Sequence, residues 1–179
     1  MTQREGLIEQ ILAAFVTAEY PGDENLRNSN EGDEPFLLEE EFKGKKDWTT
    51  LDSEFLDRAP DDYSTALSFF SPKAFRFYLP AYLVADLRNQ LQRVNLEFCL
   101  CHGLAEDTKE GRINPRRYGD LTWFEYVSDR FGNFTRAEYQ ATVSYLKWKR
   151  KLAPTDLERN WIDSALENFW LPQAERDLE

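Results

Sequence analysis

A strongly apolar passage at residues 66–87, ALSFFSPKAFRFYLPAYLVADL, constrains the fold more than any other part of the sequence. Ser71 followed by Pro72 is typical of a helix start, because serine caps unpaired N–H groups and proline fits the first turn. Pro80 lies further along the same stretch, where it removes one backbone hydrogen bond and crowds the preceding turn. We therefore predict a central helix over residues 71–90 with a kink or break at Pro80.

Apolar residues recur along this helix at helical spacing and form one wide stripe. The side chains that we expect to hold the core together are Phe75, Leu79, Tyr82 and Leu83. On this interpretation Arg76 and Phe77 lie towards the outer side of the helix. The density of aromatic residues in the segment is thus explained by core packing.

Helical spacing of apolar residues also appears elsewhere in the chain. It predicts helices at residues 4–18, 35–43, 48–56, 121–131, 135–151 and 154–172, with the last helix ending at Pro172. Thr135 followed three residues later by Glu138 is the pattern of a capping box, which marks a helix start. Residues 21–34 and 105–119 are polar and rich in Gly and Pro, so we expect loops there.

Residues 95–101 fit two kinds of secondary structure. Helix is the first interpretation, but the alternation of Leu96, Phe98 and Leu100 also fits a short strand. Taken together, the sequence predicts an all-α fold: a single-domain bundle over residues 1–179 with about six to eight helices, some of them short. In this fold the C-terminal helices occupy residues 121–170.

The negative charge of the chain is concentrated near its N-terminus. The 179 residues carry a net charge of −11. Residues 1–65 contain 17 acidic and 6 basic side chains, whereas residues 66–179 contain 16 of each. An acidic third disfavours nucleic-acid binding and attracts basic proteins, although acidity also serves solubility alone. We expect no membrane span, and the lack of a signal-peptide pattern at the N-terminus predicts the cytoplasm.

Cys99, Cys101 and His102 form the pattern C-x-C-H and are the only cysteines and histidine in the chain. They are a weak candidate for a metal site, because structural zinc usually takes four ligands from two separated pairs. Buried thiols that pack as small apolar groups are the favoured interpretation. No motif for phosphate binding or nucleophilic catalysis is present, so we predict no catalytic residue and no cofactor.

The run from Ala66 to Leu83 resembles the central motif of a bacterial family, domain of unknown function 6714, whose members show an ALSFLSPEAFRYYLPAYL-like segment. Further similarities are Tyr20-Pro21-Gly22-Asp23, Phe42-x-Gly44 followed by Trp48, and a helix start around Phe134-Thr135. Lys73 and Phe77 differ from the glutamate and tyrosine that are usual in the family at these positions. The resemblance implies a shared fold and brings no activity, substrate or cofactor with it.

Two hypotheses for the function follow. The first is a protein-interaction module that binds or neutralises a partner, possibly a basic protein, through the acidic region 1–65. The alternative is an enzyme or a small-anion-binding protein with a pocket beside the central helix. For that pocket the ligand-binding candidates are Arg76, Tyr78, Tyr82 and Arg88.

Overall fold

The computed structural model describes residues 2–60 and 66–176. Within these ranges the chain is helical, with two isolated β-bridges and no strand. The helices are α1 Gln3–Ala14, α2 Glu34–Phe42, α3 Ser53–Arg58, α4 Ala66–Phe69, α5 Pro72–Leu87, α6 Leu96–Cys101, α7 Pro115–Tyr118, α8 Trp123–Phe131, α9 Arg136–Leu152, α10 Asp156–Ala165 and α11 Leu171–Glu175. The prediction of an all-α fold is confirmed. None of the described helices is long and apolar enough to cross a membrane.

Contacts between Cα atoms divide the chain into two compact units, Met1–Leu96 and Glu97–Glu179. The first unit combines the acidic region with the central helix α5, so the acidic residues do not form a folding unit of their own. In this unit α1 and α3 pack against α5. In the second unit α9 packs against α10 and α11. The prediction of a single domain over residues 1–179 stays a prediction.

Helix α5 begins as the sequence predicts. The Ser71 side chain accepts a hydrogen bond from the Ala74 N–H at 3.1 Å, and Pro72 occupies the first turn. The helix then continues through Pro80 to Leu87 without interruption, so the chain does not break at this proline. Bending of the helix at Pro80 stays a prediction.

Burial of α5 extends around almost its whole circumference, since 12 of its 16 residues are buried. Phe75, Leu79, Tyr82 and Leu83 are all fully buried, as expected for a stripe that holds the core. The expectation that Phe77 lies on the outer side is wrong, because only 4% of it is exposed. Its ring lies edge-on to Tyr20 and to Tyr78, with centroids 5.5 and 4.8 Å away. An apolar helix that is covered on all sides has no outer face for Phe77 to occupy.

Several predicted helix boundaries are set by local capping. Thr135 accepts the Glu138 N–H while the Glu138 carboxylate accepts the Thr135 N–H, which confirms the capping box before α9. Thr122 and Thr155 cap α8 and α10 in the same way. Helix α6 occupies Leu96–Cys101, so the helix interpretation of residues 95–101 is confirmed and the strand interpretation is wrong. The predicted helix at 48–56 is instead a 3₁₀ turn, Trp48–Thr50, followed by α3.

The C-terminal helical run does not stop at Pro172. A π-helical turn, Leu166–Trp170, joins α10 directly to α11, and Pro172 lies in the first turn of α11. A proline at the start of a helix is tolerated because its position leaves an N–H without an intrahelical partner in any case. The π turn places Trp170 in the core, where its indole N–H donates to the Leu100 carbonyl at 2.8 Å.

Asp57 fixes the connection between α5 and α6. Its carboxylate accepts hydrogen bonds from three successive backbone N–H groups, those of Gln92, Arg93 and Val94, at 2.9, 2.8 and 3.2 Å. Burial alone would raise the pKa of Asp57, but the three N–H donors outweigh it and lower this pKa below its usual value. The folded state therefore favours the ionised carboxylate.

We expect Asp57→Asn to lower the free energy of unfolding at neutral pH, because a neutral amide is a weaker acceptor for the three N–H groups. A lowered pKa in the folded state stabilises the fold above the acid range, and this stabilisation is lost as pH falls below about 4. Denaturant unfolding across pH should thus show the gap between wild type and variant closing in acid. Asp33→Asn is the matched control, since the Asp33 side chain makes no cap bond to α2. A gap that does not change with pH would contradict the prediction.

Leu79→Ala should destabilise the first unit by about 2–5 kcal/mol, because it removes a fully buried side chain from the centre of α5. Equilibrium unfolding by denaturant measures the change. Lys73→Ala in the same helix is the control, because Lys73 is exposed and its truncation leaves the core intact. A loss below about 1 kcal/mol for Leu79→Ala would show that this stripe does not carry the core.

Candidate functional site

A hydrogen-bonded cluster in the first unit joins the turn after α1 to the segment after α2. The Tyr20 hydroxyl donates to the Asp23 carboxylate, and the Gly44 N–H donates to the same carboxylate oxygen at 2.9 Å. Burial and the Asp23 carboxylate raise the pKa of Tyr20 to about 12. The two donors lower the pKa of Asp23, so the carboxylate stays charged and the tyrosine stays protonated at neutral pH.

Gly44 is required by the backbone at this position. Its φ of 73° lies in the left-handed region, which side chains other than glycine rarely adopt. No atom lies within 4 Å of the place that a Cβ would take, so the requirement is one of conformation and not of space. This residue ends α2 and turns the chain towards Asp23.

Tyr78 of α5 supports the same segment from inside the core. Its hydroxyl donates to the Lys45 carbonyl at 2.8 Å, and its ring stacks on Phe70 with centroids 5.0 Å apart. Burial raises the pKa of Tyr78 well above the usual tyrosine value, so the hydroxyl remains a donor. Gly44 and Lys45 are therefore held by Asp23 on one side and by Tyr78 on the other.

An open depression of about 480 Å³ lies next to this supported segment. We call it the Lys45–Lys46 recess. Its walls are formed by Gly44, Lys45, Lys46, Asp47, Thr50, Leu51, Asp52 and Phe55. Its volume falls in the range of small-molecule sites. Its lining combines one aromatic ring and one leucine with four charged side chains.

The charged groups of the recess are not equivalent. Asp47 and Asp52 are used as caps: the Asp47 carboxylate accepts the Thr49 N–H at 3.0 Å, and that of Asp52 accepts the Phe55 N–H at 2.8 Å. The Lys45 ammonium instead lies over the Phe55 ring, 4.6 Å from its centroid. The acceptors are thus partly occupied by the chain itself, whereas Lys46 is an exposed side chain in the lining.

The four ligand-binding candidates on α5 do not share one face of the helix. Tyr78 and Tyr82 are fully buried on the same side, Arg76 is half-buried, and Arg88 is exposed just beyond the helix end. At about 100° per residue, Arg76 points away from the two tyrosines, whereas Arg88 lies beyond the last residue of α5. Ligand binding by these four residues stays a prediction, and Tyr78 reaches the recess segment through its hydrogen bond to Lys45.

The C-x-C-H pattern does not form a ligand set. Among residues 2–60 and 66–176, no group of three His, Cys, Asp or Glu side chains is arranged to hold a metal ion. Cys99 and Cys101 lie two residues apart on α6, so their side chains point to different sides of the helix. Burial raises the pKa of Cys99 to about 11 and raises that of Cys101 further, which keeps both thiols protonated. Metal binding by Cys99, Cys101 and His102 thus gains no support from the described residues.

His102 belongs to a stack of aromatic rings in the second unit. Its ring stacks on Phe98 at 4.7 Å and meets Trp123 edge-on at 4.6 Å. Burial lowers the pKa of His102, although Asp107 partly opposes this effect. A neutral imidazole packed between two aromatic rings fills space in the same way as a further aromatic side chain.

The acidic region presents carboxylates next to exposed apolar side chains on two helices. On α1, Glu9 and Leu12 lie on the face opposite the buried Leu7 and Ile11. Val16, one turn after Leu12, is 75% exposed. Glu9 and Leu12 form the outer face of α1, and Val16 is exposed just beyond the end of the helix.

Helix α2 also places carboxylates next to an exposed apolar side chain. Phe36 is 48% exposed, and Glu40 lies one turn further along the same face, with Glu41 exposed beside it. Arg27 lies over the Phe36 ring, 4.3 Å from its centroid, and pairs with Glu39. We call Phe36, Glu40 and Glu41 the outer face of α2. Neither Glu40 nor Glu41 forms an ion pair with a residue that the structure describes.

The model of a family of unknown function, DUF6714, matches residues 3–174. The chain belongs to this family. The match covers both compact units, so the DUF6714 fold includes the second unit as well as the central motif on α5. No curated protein and no solved structure matches the chain.

Residues of three separate segments come together in the first unit. Tyr20 and Asp23 from the Tyr-Pro-Gly-Asp turn meet Gly44, and Tyr78 from the central motif holds the next residue. Sequence reasoning missed the Lys45–Lys46 recess itself. The available signal is the run Lys43-Gly44-Lys45-Lys46 in a strongly acidic region, directly after the helix predicted at residues 35–43.

Tyr78→Phe should remove the hydrogen bond to the Lys45 carbonyl and cost about 0.5–1.5 kcal/mol of stability. Because the bond holds the segment after α2, we also expect faster amide hydrogen exchange at Gly44 and its neighbours. Tyr118→Phe is the control, since the contacts of Tyr118 are made by its ring. Equal exchange at Gly44 in wild type and Tyr78→Phe would show that the hydroxyl does not hold this segment.

Proposed function

We propose that this protein is an interaction module that acts in the cytoplasm and binds a basic protein partner through its acidic region, residues 1–65. The observation that carries the proposal is the pairing of exposed carboxylates with exposed apolar side chains on the outer faces of α1 and α2. Apolar anchors surrounded by charge are a common composition of protein-binding surfaces. Glu40 and Glu41 form no ion pair within residues 2–60 and 66–176, so they are available to lysines and arginines of another chain.

The outer face of α2 supports this proposal best. Phe36 supplies an exposed ring, and Glu40 and Glu41 supply two negative charges beside it. Arg27 and Glu39 next to them are already paired, so they contribute little net charge. A partner that complements this face carries an apolar side chain flanked by basic ones. The electrostatic part of such an interface mainly speeds association and selects the partner.

The alternative function, an enzyme or small-anion-binding protein that uses Arg76, Tyr78, Tyr82 and Arg88, has less support. The two tyrosines are fully buried. Arg76 is half-buried, and Arg88 is exposed beyond the end of α5. General acid–base chemistry also has few candidates, because the single histidine is packed between aromatic rings. We therefore place the interaction function first.

The test is a capture experiment from the organism that encodes the protein, with charge-reversal variants. We expect a stoichiometric basic partner at low and at physiological ionic strength, with weaker capture at the higher one. Glu40→Lys combined with Glu41→Lys should slow association by about tenfold or more, because it reverses the field at the outer face of α2.

The control for this experiment changes the same amount of charge in the second unit. Glu167→Lys combined with Glu175→Lys fits this purpose, since both glutamates are exposed. Capture by the control variant should equal that of wild type. Two results would overturn the proposal: no stoichiometric partner at either ionic strength, or equal loss of capture in both double variants.

A further inference from the structure

We propose that the Lys45–Lys46 recess is a binding site for a small ligand that carries a phosphate or carboxylate group on an apolar or aromatic body. This inference does not depend on the interaction function, because the recess and the outer face of α2 use different residues. Three observations carry it: the distribution of cations, the apolar wall, and the support of the segment from behind.

Positive charge is scarce in the acidic region and is concentrated at the recess. Three of the 6 basic side chains in residues 1–65 are Lys43, Lys45 and Lys46. Arg27 in the same unit is paired with Glu39, but neither Lys45 nor Lys46 pairs with a carboxylate in the part of the chain that the structure describes. Lys46 interacts electrostatically with the Asp23 carboxylate without forming an ion pair with it. The two ammonium groups beside one depression still provide a place for an anion.

The two carboxylates that line the recess are partly neutralised by hydrogen bonds from the chain itself. Asp47 accepts hydrogen bonds from both the N–H and the hydroxyl of Thr49, at 3.0 and 2.6 Å. Asp52 accepts the Phe55 N–H at the start of α3. Each carboxylate is thus directed towards backbone donors at the beginning of a helical turn, where the aligned peptide dipoles offset part of its charge.

The apolar wall of the recess determines which kind of chemical group is attached to the anion of the ligand. Leu51 and Phe55 are both half-buried, so each keeps part of its surface exposed in the depression. The Phe55 ring is supported from the core by Phe42, with centroids 5.0 Å apart. An anion held by Lys46 and the nearby Lys45 ammonium would place an attached flat group against this wall. The chemistry fits an aryl phosphate or an aryl carboxylate better than a bare inorganic ion.

The recess is also formed before a ligand arrives. Asp23 fixes the Gly44 N–H and Tyr78 fixes the Lys45 carbonyl, so the backbone that carries both lysines has two anchors. Binding to a segment that is already ordered loses less conformational entropy than binding to a mobile loop. The two anchors thus serve a surface site that neither of them lines.

The experiment is a titration of the ¹⁵N-labelled full chain with phenyl phosphate, benzoate and inorganic phosphate, followed by NMR. We expect saturable shifts of the Gly44, Lys45, Lys46 and Thr50 amides with at least one aryl anion, and weaker binding of inorganic phosphate. A preference for phenyl phosphate identifies a phosphate ligand, and a preference for benzoate identifies a carboxylate ligand. The absence of saturable shifts at the recess with all three probes would overturn the proposal.

Variants separate the recess from general charge effects. Lys46→Gln should weaken binding of the preferred probe about tenfold, the loss expected for one charge-assisted contact. Lys45→Gln combined with Lys46→Gln should weaken it further. Lys43→Gln is the matched control, because it removes the same charge from the same segment without lining the recess.

The control variant should bind within about twofold of wild type, a difference well below the weight of one charge-assisted contact. Lys46 is exposed, so its replacement leaves the fold intact even if the double variant is destabilised. Equal weakening by Lys43→Gln and Lys46→Gln would overturn the recess as the binding site. The basic-partner capture experiment is unaffected by either outcome, so failure of one proposal is distinguishable from failure of the other.

Discussion

Burial of α5 on nearly every side is the constraint on which the first unit depends. A helix that is apolar around its whole circumference is stable in water only when other elements cover it, and α1 and α3 do so. A buried hydroxyl is costly unless it is hydrogen-bonded inside the protein. For Tyr78 the partner is the Lys45 carbonyl, so the packing of the core determines where the chain runs after α2.

Because α5 is buried, the most distinctive part of the sequence is not exposed for binding. The central motif attracts attention because of its aromatic residues, yet its side chains are used for packing. What remains available to solvent lies on the elements that α5 supports: the outer faces of α1 and α2, and the segment from Gly44 to Phe55. The aromatic segment that stands out in this sequence therefore supports the exposed surface of the first unit from inside the core and is not itself part of that surface.

The parts of the fold that could be predicted from the sequence depend on short-range interactions. Capping by Ser71 and by Thr135 involves residues three positions apart, and a pattern of that length is visible in the sequence. The choice between helix and strand at residues 95–101 was open because a short apolar segment fits both periods. The π-helical turn before Pro172 could not be predicted, since it depends on the packing of Trp170 against Leu100 in another helix.

The recess could not be predicted for the same reason. Asp23 and Gly44 are 21 residues apart, and Tyr78 lies 33 residues from Lys45, so no local pattern indicates that they meet. Composition gave the opposite expectation, because the acidity of residues 1–65 as a whole conceals a small positive site within it. An average charge predicts the long-range field of a surface, but contacts are decided within a few ångströms.

The lysine run itself has a simple explanation in the helix dipole of α2, and the structure limits how far that explanation extends. Favourable interaction of cations with a helix C-terminus falls off within about one turn. Lys43 is the C-cap residue and satisfies this condition. Lys46 is four residues beyond Phe42, on a backbone that Gly44 has turned away in the left-handed conformation. The dipole therefore accounts for the first lysine and not for the last, whose position is set by the anchors Asp23 and Tyr78.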